Sequence, residues 1–166
     1  MLPPADRMAP EIRAVVDYWS SLRQGGGLPG FRQLDPAALG ALLPGIWVLD
    51  VVRDPYRFRF RLIGEQVLDS RPTLPLDDAG TAGRGTAMPT PRKGMFLDEY
   101  HGGPLPPRMF EGFVRAVECH EPDWYEGTPL TRHTRWIKAL ERVTLPLAEN
   151  GRDVDALLNL TLYRRR

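Results

Sequence analysis

The histidines and the single cysteine are the residue types best suited to metal binding or nucleophilic chemistry. His101, His120 and His133 form no HxxxH or HxH pair, and no motif supports a Cys119–His133 nucleophilic pair. Cys119, His120 and Glu121 are consecutive, and neighbours on a helix diverge by about 100°, so these three side chains would not face one ion. We therefore predict no metal site, and we expect Cys119 to be a buried structural thiol.

Motifs for phosphate binding and for hydrolysis are incomplete. Residues 80–86 are rich in glycine, but a phosphate-binding loop follows a strand and carries a Lys before its Ser or Thr, whereas Arg84 stands here. No serine lies in a G-x-S-x-G motif. The carboxylate pairs at 77–78 and 98–99 are typical of turns and caps. The sequence therefore predicts no catalytic residues and a protein that is not an enzyme.

Two groups of charged residues in the first half of the chain remain as candidates. Asp50 interrupts an apolar strand, and a carboxylate in an apolar setting could belong to the dyad of a small isomerase or dehydratase. An ion pair or cap at the end of the strand is the favoured explanation. Arg57, Arg59 and Arg61 alternate along a strand and project from one face, about 7 Å apart. They form either a solvated outer face or a docking face for an anionic or helical partner.

Composition restricts the class of protein. The chain has 166 residues, with 22 Lys and Arg against 21 Asp and Glu, which gives a net charge of +1. This balance supplies no global field for nucleic acid or an anionic membrane. One cysteine excludes an intramolecular disulfide. No apolar run reaches the ~18 residues that span a bilayer, and the N-terminus has no signal-peptide core. We expect a cytoplasmic protein with neither nucleic acid nor membrane as a partner.

The periodicity of apolar residues predicts helices in three places. An apolar stripe at helical spacing indicates an N-terminal helix over 11–23. A short helix over 36–43 has Asp35 as its N-cap and a proline at its first position. A third helix, over 108–120, follows a loop-rich stretch at 71–107. The stripe of the first helix consists of Ile12, Val15, Val16, Trp19 and Leu22.

Five segments have the composition of strands. Residues 46–53 are almost entirely apolar at their start, and residues 56–63 alternate between arginine and apolar side chains, so the two predict a hairpin. Three further strands are predicted over 124–132, 134–147 and 154–163. Two helices precede the first strand, and the loop-rich stretch and the third helix fall between the second and third strands. This order does not alternate strand with helix, so the sequence predicts an α+β fold with a five-stranded antiparallel sheet.

An ordered series of short segments, together with this layout, resembles a known family. The segments are 18–19 (YW), 28–29 (LP), 34–36 (LDP), 42–44 (LLP), 46–51 (IWVLDV), 57–64 (RFRFRLIG), 93–100 (KGMFLDEY) and 141–147 (ERVTLPL). The series resembles small stand-alone PAS-domain proteins common in alphaproteobacteria, over about residues 18–163. The resemblance implies a PAS-like fold with helices on one face of the sheet and an extra N-terminal helix, a sensory or regulatory role, and no catalytic residues.

The resemblance also implies a domain organisation. We expect a flexible N-terminus over 1–10, a single PAS-like domain over 11–163 and a basic tail over 164–166. Within the domain, residues 11–44 would carry the N-terminal helices. Residues 71–107 would form a loop-rich insertion over the sheet, and the part before residue 92 departs most from the family pattern.

A PAS-like sheet would close one face over a small, mostly apolar cavity. A packed core without a cavity is the alternative. Tyr100, His133 and Trp136 are the expected polar anchors. The full set of expected lining residues is Val48, Phe58, Phe60, Leu62, Tyr100, Phe113, Val117, His133, Trp136, Val143, Leu145, Leu158 and Leu160.

The expected function is a non-catalytic sensory module that binds a small molecule, a partner protein or both. The leading helix would pair two subunits through Ile12, Val15, Val16, Trp19 and Leu22, so a homodimer and a signalling partner protein are expected. No cofactor is predicted. Flavin photochemistry is rejected because Cys119 is not in an Asn-Cys-Arg motif. The alternatives are a small α+β-cone enzyme and, less favoured, a haem sensor using His101 or His120.

Overall fold

The computed structural model describes residues 2–69, 89–130 and 137–165. Its strands form one antiparallel sheet in the order β2-β1-β5-β4-β3, which confirms the predicted α+β class and five-stranded sheet. The strands are β1 Ile46–Val52, β2 Arg57–Ile63, β3 Asp123–Gly127, β4 Ile137–Leu147 and β5 Ala156–Arg165. The helices are α1 Pro10–Ser21, α2 Pro36–Leu39, α3 Glu65–Asp69, α4 Leu97–His101 and α5 Pro107–Cys119.

The helix boundaries follow local chemistry. Pro10 and Pro107 occupy the first positions of α1 and α5, where a missing backbone N–H is tolerated. Asp35 caps α2 as predicted, because its Oδ1 accepts the Ala37 N–H at 2.9 Å. The chain then tightens into a 3₁₀ turn over Gly40–Gly45 that leads into β1. Within the described ranges, no helix is both long and apolar enough to cross a bilayer.

The strand register divides the sheet into two faces. Trp47 lies opposite Asn159, which in turn lies opposite Thr144, and this row faces α5 because the rings of Trp47 and Phe113 are 6.2 Å apart. We call this side the inner face. Val48 and its neighbours across the sheet point the other way, since side chains alternate along a strand. We call that side, which α1 covers, the outer face.

Helix α1 packs its apolar stripe into the chain's own core. Ile12, Val15, Val16 and Trp19 are buried, and only Leu22 is half-buried. The indole N–H of Trp19 donates to the Pro146 carbonyl of β4 at 2.9 Å. The assignment of this stripe to a subunit interface is therefore corrected, because the chain itself already occupies these side chains.

Residues near both ends of the chain pack against the domain, whereas the sequence predicted a flexible segment and a tail. Residues 5–7 form a 3₁₀ turn, Met8 is buried, and the Ala9 N–H donates to Glu141 Oε1 at 3.0 Å. Arg164 lies in β5 opposite Ala139, with its Nη2 3.5 Å from Glu141 Oε2. The predictions of a flexible segment over 1–10 and of a separate tail from residue 164 are corrected on this ground.

A bulge in β2 overturns the prediction for Leu62. Val48 pairs with Leu62 while the next residue, Leu49, pairs with Phe60, so Arg61 is an extra residue on β2. The extra residue reverses the alternation, and Leu62 is 38% exposed instead of lying beside Phe60 on the inner face. A period-2 pattern cannot reveal where such a residue is inserted.

The outer edge of β2 is covered by a short extended segment. The Phe60 N–H donates to the Met95 carbonyl at 2.9 Å, and the Gly94 N–H donates to the Phe60 carbonyl at 2.7 Å. Phe96 bridges to Arg59 in the same antiparallel sense. This pairing blunts an edge that would otherwise present unpaired backbone groups, and it places α4 directly beside the hairpin.

Replacing Trp19 tests the packing of α1. The Trp19→Ala variant removes a buried ring and its hydrogen bond, so we expect the free energy of unfolding to fall by about 3–5 kcal/mol. Leu22→Ala, at the half-buried end of the same stripe, is the matched control and should cost well under half as much. Urea unfolding and sedimentation measure stability and oligomeric state together. A Trp19→Ala variant with wild-type stability but an altered oligomeric state would return the stripe to a subunit interface.

Candidate functional site

A small cavity lies between the inner face of the sheet and helices α3, α4 and α5. Its volume is about 50 Å³, which is room for about three or four water molecules. Aromatic and aliphatic side chains form most of the wall, and polar groups come from α4 and from the strands β4 and β5. The lining residues are Trp47, Phe60, Val67, Leu97, Tyr100, His101, Met109, Leu130, Leu140, Arg142, Thr161 and Tyr163.

Part of the predicted lining lies on this side of the sheet. Phe60 and Tyr100 line the cavity, with their rings 5.8 Å apart in an edge-to-face arrangement. Phe58 and Phe113 pack against each other at 5.0 Å beside the cavity. Val117 is buried on α5. These three residues support the wall from behind and do not line the cavity.

The rest of the predicted lining lies elsewhere. Val48 is in register with Leu158 and Leu145, and the neighbouring row consists of Leu160 and Val143. All five side chains lie on the outer face beneath α1, so assigning them to the cavity wall was wrong. The expected anchors His133 and Trp136 lie outside the described residues.

Arg142 is a buried cation on the inner face. Its side chain lies near two rings, with the guanidinium carbon 5.2 Å from the Phe113 centroid and 5.9 Å from the Tyr125 centroid. The residue is only 4% exposed. Burial lowers the pKa of Arg142 to about 10, mainly because the charged form is desolvated. The guanidinium therefore remains charged at neutral pH, and Arg142 is one of the residues that line the cavity.

Asp123, the carboxylate whose charge acts on Arg142, is already bound by two other arginines. Asp123 is buried at the start of β3, where its Oδ2 accepts the Arg108 Nη1 at 3.1 Å and its Oδ1 lies 3.6 Å from Arg115 Nη2. Arg142 makes no ion pair with any described residue, and its buried Nη2 has no hydrogen-bond acceptor among them. The region around Asp123 therefore carries more positive charge than negative charge.

Thr161 places a second polar group beside Arg142. The two residues lie directly opposite each other on neighbouring strands, where Cβ atoms are about 5 Å apart. Thr161 Oγ1 accepts the Trp47 indole N–H at 3.0 Å. Because this oxygen acts as an acceptor, the hydroxyl hydrogen can donate to a molecule in the cavity.

Sequence reasoning missed Arg142 and Thr161, although a signal was present. In β5, Asn159 and Thr161 alternate with Leu158 and Leu160, which is the pattern of a sheet with one polar and one apolar face. The prediction selected the apolar face as the cavity wall. The structure shows that the N-terminal helix takes the apolar face and that the polar face lines the cavity.

A larger, open groove borders the opposite side of α4. It has a volume of about 790 Å³ and runs between the β1–β2 turn and the start of α5. Phe58 forms part of its floor, and Phe110 is 37% exposed beside it. On the rim, Arg57 donates from Nε and Nη2 to both carboxylate oxygens of Asp98, at 2.9 and 2.8 Å.

The arginine row of β2 and Asp50 form ion pairs with neighbouring groups. Asp50 pairs with Arg61 and, at 3.3 Å, with Arg59. The Arg57 guanidinium stacks on Phe96 at 3.6 Å, in addition to its bond to Asp98. Asp50 lies on the outer face, away from the cavity. The ion pairs therefore support the favoured explanation of this carboxylate, and Asp50 does not line a cavity in which a catalytic dyad could act.

The metal and thiol candidates do not assemble into a site. Cys119 is exposed at the end of α5, so the prediction of a buried thiol was wrong. His120 follows in a left-handed conformation with φ of 59°, which turns the chain away from the helix. Among residues 2–69, 89–130 and 137–165, no three His, Cys, Asp or Glu side chains converge as metal ligands would.

Comparison with known proteins finds a family model that matches part of the chain. Residues 7–70 match the family model described as the PAS domain, a segment that spans α1 to α3 and the strands β1 and β2. No curated protein and no solved structure matches the chain. This match confirms the predicted resemblance to PAS-domain proteins over residues 7–70. The remaining described residues supply the helical connection and the three further strands of the expected layout.

The Arg57–Asp98 pair predicts a specific dependence of stability on pH. Hydrogen bonds from Arg57 lower the pKa of Asp98, so the pair stabilises the fold at neutral pH, and this contribution is lost as the pH falls through the lowered pKa, from about 4 downward. We expect Asp98→Asn to destabilise the protein at pH 7 and to match wild type at acid pH in urea unfolding. Asp17→Asn, on the exposed side of α1, is the control. Equal effects of Asp98→Asn at both pH values would contradict the pairing.

Proposed function

We propose that this PAS-domain protein is a sensory or regulatory module that binds a small molecule in the cavity on the inner face of its sheet. The observation that carries the proposal is the polar and charged wall of that cavity, where Arg142 and Thr161 face space between packed aromatic rings. A core built only for stability would fill this position with apolar side chains, because burying an unpaired charge is unfavourable.

The proposal assigns the output to contacts with a partner protein. The described residues hold no assembled catalytic constellation, since Asp50 lies in ion pairs on the outer face and Asp123 is bound by arginines. PAS domains are generally non-catalytic sensory modules. We therefore propose that occupancy of the cavity alters the surface formed by α4 and the β1–β2 hairpin, which the Arg57–Asp98 pair joins.

Helix α4 connects the cavity to the β1–β2 hairpin, so a small molecule in the cavity could be sensed at the surface. Helix α4 is only five residues long and lines the cavity with Tyr100 and His101, while its Asp98 holds the hairpin. A ligand that contacts α4 can therefore act on the hairpin through one short element. Assembly into a homodimer remains part of the proposal, with a contact other than the buried stripe of α1.

Native mass spectrometry of the freshly purified protein tests the proposal. We expect a small molecule to be retained by the wild-type protein or taken up from a diverse library of small metabolites. Met109→Trp enlarges a lining side chain by roughly the volume of the cavity, so this variant should retain the fold and lose the ligand.

Leu62→Ala is the matched control, because Leu62 is exposed and lies outside the cavity. This variant should bind as wild type does. Ligand binding that survives in a folded Met109→Trp variant would place the ligand elsewhere. A wild-type protein that neither retains nor takes up any small molecule would overturn the proposed sensing function.

A further inference from the structure

We infer that the ligand of this cavity is a small carboxylate, bound by the guanidinium of Arg142 and the hydroxyl of Thr161. The inference rests on the proposed function and adds the chemical class of the ligand. It follows from a buried cation that the described part of the chain leaves without an anion, at the wall of a cavity large enough for one.

The described charged groups around Arg142 do not neutralise it. Asp123 is the one negative group that raises the pKa of Arg142 by direct charge attraction from a carboxylate, while Arg108 opposes it. Arg108 also donates to both oxygens of Asp123, and Arg115 approaches the same carboxylate. Glu141, the neighbour of Arg142 in sequence, points to the outer face and accepts from Trp124 and Ala9. The described groups around Arg142 therefore do not neutralise its charge, and an anion bound beside the guanidinium would be stabilised.

The donor geometry favours a carboxylate over a single-atom anion. A guanidinium presents parallel N–H groups that match the two oxygens of a carboxylate. Thr161, directly across the strand pair, can donate one further hydrogen bond from the same side of the sheet. The guanidinium carbon lies 5.2 Å from the Phe113 centroid and 5.9 Å from the Tyr125 centroid, and the residue is buried, so little side-chain freedom remains to be lost on binding.

The volume sets an upper limit on the ligand. A space of about 50 Å³ holds about three or four waters, which corresponds to a carboxylate with one or two further heavy atoms, such as acetate or propionate. Several of the other lining residues, among them Leu97, Leu140 and Met109, are apolar, and they suit a short alkyl end. Neutral molecules of the same size would leave the guanidinium without its counter-charge.

Titration with matched anionic and neutral probes tests this inference. We expect sodium acetate and propionate, at constant ionic strength, to bind wild-type protein in calorimetry and to raise its melting temperature. Acetamide and propionamide, which have the same shapes without the charge, should bind at least about tenfold more weakly, because hydrogen bonds to a charged group are stronger by that order.

Variants separate the role of Arg142 from general electrostatics. Arg142→Met removes the charge while keeping a side chain of similar length, and it should weaken acetate binding by at least about tenfold. Its melting temperature without ligand should equal or exceed that of wild type, because an unpaired buried charge has been removed. Arg13→Met changes net charge equally at an exposed position on α1, away from the cavity and from Asp123, and should leave binding unchanged. Thr161→Val should weaken binding less than Arg142→Met does.

The possible outcomes divide clearly. Equal binding of acetate and acetamide by wild type, or undiminished acetate binding by a folded Arg142→Met variant, overturns the inference. If a neutral molecule is the one retained in native mass spectrometry and no carboxylate binds, the sensing function stands and the carboxylate assignment fails. Should Arg142→Met not fold, the comparison of acid with amide on wild type and the Thr161→Val variant still decide the question.

Discussion

The guanidinium of Arg142 is enclosed by protein on the inner face of the sheet, and no described residue offers an acceptor to its Nη2. Removing a charge from water without a counter-ion is among the most unfavourable arrangements in a folded protein. The lowered pKa of Arg142 records that penalty. The fold tolerates it because the rest of the core is extensively buried and because two aromatic rings flank the cation. An anionic ligand bound beside Arg142 would therefore offset the unfavourable free energy of this buried charge.

The division of the sheet into two faces explains why the cation lies where it does. Helix α1 and the residues before it seal the outer face, with Trp19 bonded to the backbone of β4 and Glu141 holding the N-terminal segment. The part of that face beneath α1 is packed with apolar side chains, among them Val48, Leu145 and Leu158. The inner face carries Arg142, Thr144, Asn159 and Thr161, and Thr144 and Asn159 already satisfy each other at 2.7 Å. The proposed ligand site therefore lies on the side that α4 and α5 cover.

The sequence predicted most of the architecture because its signals are local. Helical spacing in α1, the Asp35 cap, and the alternation of Phe58 and Phe60 with arginines all depend on neighbouring residues. The two-strand, helix, three-strand order then sufficed for the fold class. The site was harder, because the face on which Leu158 or Val143 lies depends on register and on which helix covers which side. The bulge at Arg61, which exposes Leu62, and the multiple arginines around Asp123 are tertiary features that leave little trace in a local pattern.

The central claim concerns one side chain, and nitrogen-detected NMR of the Arg142 guanidinium observes it directly. The claim predicts that acetate shifts the Arg142 Nε and Nη resonances and slows rotation of the guanidinium, while acetamide leaves both unchanged. If acetate leaves the Arg142 resonances unperturbed while binding is detected by calorimetry, or if acetamide perturbs them equally, Arg142 is not the anion-binding group and the account is contradicted.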